Sequence, residues 1–442
     1  MKKKLLAIIL AGITTLSVVA CNKVEVNNDK DTKLAISTEI KENVEIQFWH
    51  SMKGENEEAL KKITEDFEKK NANIKVKLVN QGGYRDLFEK LMGAAKSNTL
   101  PNITQIYCNR LSWYIDKDLV EDLKPYIDDS KVGLSKEEVD DIYPIFLNDG
   151  LWEENQYALP FNKSQMVLYY NEDMLKEKNV EVPKTWDEFK KAAEKLTVDS
   201  DKDGKPEVYG VAFPNNISTD IAIWVRQAGE EVIDEKSDKI NFNKEETKEA
   251  VNLINDMIQS KVARLAGEDK NPNNTLTQEK SAMCIASTSA IPYIEKSMKG
   301  NWSLAPLPIY KEDAQLYYGT NVAAFNTGSE EEKLASWLYI KHLINTENTA
   351  YFSMKTGYIP VRKSALELDD YKKFLQENPR KEIPMKTLDR GYSGARSIGV
   401  IPALDVLGEE LEKVFANEKP VDEALKDAQE KGEKAMQEAR SN

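Results

Sequence analysis

The chain has 442 residues with 75 acidic against 61 basic side chains, a net charge of −14, two histidines and three cysteines. So acidic a balance argues against a nucleic-acid binder, and two histidines without a Cys/His cluster argue against a structural zinc site. The length allows two or three domains.

Met1-Lys2-Lys3-Lys4 precedes a mostly apolar run from Leu5 to Ala20. That run is too short for a stable membrane span and predicts a secretory signal over residues 1–20. Val18-Val19-Ala20-Cys21 resembles a bacterial lipobox, which implies cleavage before Cys21 and a diacylglycerol on its sulfur. Losing the three leader lysines takes the charge from −14 to −17. Residues 21–43 would be the lipidated cysteine and a polar tether unable to build a core. Cys108 and Cys284 then remain, which is no disulfide framework for an exported chain.

Val44 to Trp49 alternates apolar and polar and predicts a strand. Glu55 to Lys70 carries Leu60, Ile63 and Phe67 on one helical face. Ile74 to Val79 predicts a strand, Arg85 to Ala95 a helix, and Ile103 to Tyr107 a strand ending at Cys108. Strand alternating with helix predicts a parallel sheet covered by helices, with ligands beyond the carboxyl ends of the strands. Trp49-His50-Ser51, Gly82-Gly83-Tyr84 and Cys108-Asn109 should therefore share one rim. Leu159 to Ser164 opens on a proline and a polar knot before a strand over Met166 to Tyr170, and reads as a crossing between two lobes. Thr185 should cap the helix that carries Phe189, Ala192 and Leu196.

Asp199-Ser-Asp201-Lys-Asp203-Gly204 is similar to the first half of a calcium loop. The closing glutamate is missing, because position twelve is Gly210, and an acidic turn is the favoured reading. Ala282 to Ala286 reads as a buried strand ending at Ser287. Tyr317 to Thr320 is a return crossing, and Trp337, Ile340 and Leu343 are core positions of a helix. Gly357 to Pro360 is a third crossing, and a charged helix spans Val421 to Ala439. The resulting fold class is α/β and two-lobed, each lobe a mixed or parallel sheet flanked by helices. Residues 44–160 and 320–359 form one lobe, residues 161–319 and 360–442 the other. Three crossings make a hinge able to close over a small molecule.

Pro160-Phe-Asn-x-Ser164 followed by Val167-Leu-Tyr-Tyr-Asn171 resembles the extracellular solute-binding proteins of ABC importers (family 1), with the type II periplasmic-binding-protein-like fold. Phe48-Trp-His-Ser-Met52, Lys184-Thr-Trp186 and Lys355-Thr-Gly-Tyr-Ile-Pro360 recur in the same order, and the likeness is strongest to the glycerol-3-phosphate-binding branch. That resemblance implies a ligand pocket of Tyr84, Cys108, Ser164, Ser287, Gly319, Thr320, Tyr358 and Arg396. Arg396 would be the phosphate-side residue, since a guanidinium can donate two parallel bonds to an oxyanion. Two positions depart from the branch. Its glutamate is Cys108 here, a poor acceptor. Its second-lobe tryptophan is replaced by the Phe213-Pro-Asn-Asn216 stretch, leaving Trp224 or Trp113 to offer a ring.

The resemblance further implies a monomeric receptor without cofactor or metal, held at the outer face of the membrane or in the periplasm by a lipid on Cys21. It would pass a phosphorylated polyol or glycerophosphodiester to a membrane permease. A receptor for neutral oligosaccharides is the alternative within the fold. A secreted hydrolase is the alternative outside it, although no Gly-x-Ser-x-Gly or His-Glu-x-x-His pattern occurs.

Overall fold

The computed structural model describes residues 36–441; Cys21 and the leader lie outside them. The first lobe is built from β1 (Val44–His50), α1 (Glu55–Lys70), β2 (Ile74–Asn80), α2 (Tyr84–Ser97), β3 (Ile103–Ile106) and α3 (Cys108–Asp116). The chain then reaches β4 (Leu159–Asn171). The second lobe follows with α4 (Trp186–Leu196), β5 (Tyr209–Phe213), α5 (Ile221–Ala228), α6 (Glu245–Gln259), β6 (Ala263–Leu265), β7 (Ser281–Ser287) and β8 (Trp302–Ala305). β9 (Gln315–Ala324) returns to α7 (Glu330–Leu343) and α8 (Thr346–Thr356). The tail contributes β10 (Gly391–Tyr392), α9 (Val400–Phe415) and α10 (Val421–Ser441).

Helix α1 forms because Leu60, Ile63 and Phe67 recur on one face, while acidic residues fill its first turn and lysines its last, complementing the helix dipole. Its apolar face packs under β1 beside Trp337, Ile340 and Leu343 of α7. Thr185 caps α4 by accepting from the Glu188 amide. Within the first lobe β2, β1 and β3 are parallel, and within the second β6, β5 and β7 are parallel. One ten-stranded sheet nevertheless runs through both, in the order β6-β5-β7-β4-β9-β3-β1-β2, with β8 paired to β4 and β10 to β9. The joint is the antiparallel pair β4 and β9, each long enough to serve both lobes.

Three readings from sequence shift here. The polar knot Asn162 to Gln165 lies inside the 13-residue strand β4, with each of its four residues 3% exposed or less. Pro160 is tolerated because the register slips by one residue between Thr320 and Asn321, a bulge that needs no proline N–H. The tether also contributes to the core, since Ile36 and Ile40 pack against the first-lobe cluster. Beyond Ile359 the chain stays with the first lobe rather than crossing at 360. Val361 is buried in that lobe's core, and Arg362 donates to the carbonyls of Ile344 and Glu138. Packing into the second lobe resumes with Arg380, which lies over Trp302, and Ile383, and continues with Tyr392, Ala395 and α9.

Helix α10, strongly charged in sequence, keeps a solvated face and lays Ala424, Leu425, Ala428 and Met436 of the other against α9 and the second-lobe core. The two helices are locked by Glu410, 1% exposed, which accepts from Lys413, Lys419 and Lys431. Burial alone would raise its pKa, but those three ammonium groups hold it at about 2, against 4.5 unperturbed. A depressed carboxylate contributes stability above its unfolded pKa and loses it as pH falls through the folded value. Acid titration between pH 4.5 and 2 should therefore remove roughly 2 kcal/mol, allowing for the partly exposed lysines. The Glu410→Gln variant should show a flatter stability profile over that window in denaturant melts.

Candidate functional site

The rim predicted at the strand ends comes together around the β4–β9 joint. Tyr84 opens α2 from a turn that requires glycine at Gly82, where φ is +97°. Asn162 donates from Nδ2 to the Tyr84 hydroxyl at 2.9 Å, and the Tyr358 phenol lies close beside that of Tyr84. The other side of Asn162 is fixed: Gln105 Nε2 donates to its Oδ1 at 2.8 Å and to Thr320 Oγ1 at 3.1 Å, while Thr320 also donates to Asn162. Gly319, at φ +111°, runs so close to β4 that a Cβ would lie 2.1 Å from the Asn162 carbonyl oxygen. Tyr84, Thr320, Gly319 and Tyr358 thus form one cluster.

Next to it stand Tyr107, with its ring 5.2 Å from that of Tyr84, and Cys108 at the start of α3. The Tyr84, Tyr107, Tyr318 and Tyr358 phenols and the Cys108 thiol keep accessible surface, yet desolvation pushes all of them upward. These half-buried groups lie together in the cleft between the lobes, the chamber, and a neutral thiol at its wall is a weak partner for polar ligands.

Beneath Cys108 lies a buried ion pair, Lys163 Nζ to Asp149 at 2.5 Å, with side chains 1% and 8% exposed. Its charges are felt at the Cys108 thiol together with that of Arg396. Arg396 reaches across the gap. Its Nε and Nη2 donate to Glu235 Oε1 at 2.9 and 2.6 Å, and its Nη1 donates to the carbonyls of Asn148 and Leu151 at 2.8 and 2.6 Å. The guanidinium also stacks 4.6 Å over Trp152. Four of its five donor contacts are thereby used, and its charge is balanced by Glu235.

Ser164 is buried opposite Tyr318 in the strand pair. Ser287 accepts from the amide and hydroxyl of Ser289, capping its own turn. Neither makes contact with Arg396. Trp224, one substitute for a missing ring, is 1% exposed and packs among Trp186, Phe189 and Phe213 in the second-lobe core. Trp113 instead lines a cavity of about 270 Å³ with Arg110, Ile398 and Pro402, between α3 and the start of α9. The acidic turn brings side-chain oxygens of Asp199, Asp201 and Glu207 within 4.8 Å of one another, Glu207 arriving three residues before the position where a calcium loop closes.

The sequence reading missed Tyr107, Tyr318, Tyr392, Glu235 and Asp220. Tyr107 and Tyr318 adjoin residues already singled out. Glu235 and Asp220 carry no local signal and are placed by tertiary packing alone.

A model of the bacterial extracellular solute-binding protein family matches residues 62–380. The sn-glycerol-3-phosphate-binding periplasmic protein UgpB of Pectobacterium atrosepticum is 24% identical over 413 residues, covering 88% of this chain and 90% of that protein. Among solved structures, UgpB from Mycobacterium tuberculosis in complex with glycerophosphocholine superposes with a TM-score of 0.78 at 21% identity, over 89% of this chain and 99% of that one. The substrate-binding protein Lmo0181 from Listeria monocytogenes in complex with cycloalternan gives 0.78 at 20% identity, with the same coverage. The two-lobed fold is common to this chain and both solved structures.

The Lys163–Asp149 pair sets an expectation of its own. Asp149→Asn leaves an ammonium buried without a counter-charge, which should cost about 3–5 kcal/mol. A urea melt of the variant should show a correspondingly lower midpoint at an unchanged slope.

Proposed function

Because the chain belongs to the bacterial extracellular solute-binding protein family, we propose that it is an exported receptor of an ABC importer that captures sn-glycerol 3-phosphate or a glycerophosphodiester between its lobes. It hands the ligand to a membrane permease without transforming it. The observation that carries this reading is the cleft in which the Tyr84 and Tyr358 phenols stand, Tyr84 held by Asn162, while Arg396 spans both lobes. Phenol oxygens suit a polyol, and a guanidinium suits a phosphoryl oxygen. Lobe closure around the ligand would be the state that the permease reads, a shift of population rather than a reaction. Cys21, outside the described residues, would carry the lipid that holds the receptor at the membrane. A Cys21→Ala variant should then leave the membrane fraction and appear in the soluble one.

Calorimetry with sn-glycerol 3-phosphate, glycerophosphocholine and maltose tests the ligand class. Arg396→Ala should reduce affinity for a phosphorylated ligand by about 100-fold, the loss of a charged, hydrogen-bonded contact. Release of glycerol or choline from glycerophosphocholine by purified protein would refute the receptor reading.

One observation favours a second reading, a neutral oligosaccharide. Glu235 already neutralises Arg396, so the chamber offers little net positive charge. Under that reading maltose binds, and Arg396→Ala weakens it by no more than a few-fold, about 1 kcal/mol.

A further inference from the structure

The second-lobe wall of the chamber holds one carboxyl group that the proposed receptor role has not used. Asp220 precedes α5. Two tyrosine hydroxyls fasten the backbone on either side of it: Tyr318 of β9 donates to the Thr219 carbonyl at 3.1 Å, and Tyr392 of β10 donates to the Ala222 carbonyl at 2.9 Å. Both phenols lie within electrostatic reach of the Asp220 carboxyl, and Tyr318 is also within reach of Tyr107 and Cys108 on the opposite wall. With their protons committed to backbone carbonyls, the two tyrosines offer Asp220 rings and oxygens but no donor.

Asp220 itself makes no side-chain hydrogen bond and no ion pair among the described residues. It is half-buried and keeps accessible surface, yet desolvation alone lifts its pKa to about 7. The bonds from Tyr318 to Thr219 and from Tyr392 to Ala222 set it beside both phenols, on the second-lobe side of the cleft. The neighbouring charges are otherwise matched. Arg396 is held by Glu235, Lys163 by Asp149, and Arg226 (beyond Tyr392) by Glu231 and Glu312. Arg110, past Tyr107, is the exception: it lies over the Phe88 ring and makes no ion pair among the described residues. Asp220 is left as the chamber carboxyl without a counter-charge.

A half-buried, desolvated carboxylate of this kind is stabilised by a partner that brings positive charge or strong donors. Electron-rich phenol rings beside it favour a diffuse cation over a hydroxyl, because a cation is attracted to both ring face and carboxylate. A dianion such as sn-glycerol 3-phosphate would instead add negative charge to a wall that already carries it.

We propose that Asp220, flanked by Tyr318 and Tyr392, is the specificity-determining residue that receives an ammonium group of the ligand. This rests on the phosphorylated-ligand reading above and narrows it to a zwitterionic glycerophosphodiester. The phosphodiester lies toward Arg396 and the ammonium head toward α5, for a net ligand charge of zero.

Calorimetry at pH 8 on the full mature chain, with glycerophosphocholine and sn-glycerol 3-phosphate as probes, tests this in wild type, Asp220→Asn and Asp220→Ser. The wild type should prefer glycerophosphocholine. Both variants should lose at least about ten-fold in affinity for it while their affinity for sn-glycerol 3-phosphate holds or rises. The ligand-free melting temperature of Asp220→Asn should equal or exceed that of wild type, because the substitution removes an unpaired buried charge. Equal losses for both ligands, unchanged glycerophosphocholine affinity, or a lowered melting temperature in Asp220→Asn would overturn the assignment. If the wild type binds neither phosphorylated probe but binds maltose, the assignment falls together with the phosphorylated-ligand reading. If it binds glycerophosphocholine and the variants bind it as tightly, Asp220 alone is excluded.

Discussion

The structure depends on the antiparallel pairing of β4 with β9, which carries four polar residues through the centre of the molecule, satisfying the side chains of Asn162 and Lys163 and leaving Gln165 Oε1 without a partner. Asn162 is held between Gln105, Thr320 and Tyr84, and Lys163 is neutralised by Asp149. Gln165 donates to Thr387 in the tail at 2.7 Å. A buried amide or ammonium is tolerable only with such partners, and here the partners come from both lobes and from the tail. The same bonds that make the joint stable therefore define the floor of the chamber. Binding residues and framework residues are not separate sets here, since Asn162 and Thr320 serve in both.

The chamber combines two kinds of wall. On the first-lobe side, Tyr84, Tyr107 and Tyr358 crowd around Asn162, their rings in contact with Phe88 and Phe352. That arrangement fixes phenol oxygens at low conformational cost, because each ring is already immobilised. On the second-lobe side, backbone anchoring by Tyr318 and Tyr392 holds the start of α5 in place. Arg396 is the link between the walls, carried by the second lobe beside Glu235 and bonded to first-lobe carbonyls. Its neutralised state shifts the electrostatic character of the site toward ligands without net negative charge.

Much of this architecture was legible from the residues, and the reasons differ from place to place. Helix α1 was predicted with its observed ends because apolar spacing, an acidic first turn and a basic last turn all agree. Trp337, Ile340 and Leu343 were read as core and are at most 1% exposed. The extent of β4 was not legible, since Asn-Lys-Ser-Gln has no apolar alternation and the groups that pair with Asn162, Lys163 and the Gln165 amide nitrogen are distant in sequence. The route of the chain after Ile359 turned on Arg362, whose carbonyl acceptors are remote in sequence. Within the site, residues carried by recognisable turns were found, whereas Glu235 and Asp220 were invisible because their significance lies wholly in what faces them. Glu235 is 161 positions from the arginine it balances.

The strand pair also decides how the two halves can move. Lobes joined by flexible linkers could separate in any direction, but these share a ladder of main-chain bonds that must survive each cycle. The compliant motion left to them is torsion along the ladder, as in a twisted ribbon, so the gap widens on the face away from β4 and β9 and stays shut at the ribbon itself. A solute then enters from the side away from the ribbon, and the strand pair closes the opposite side.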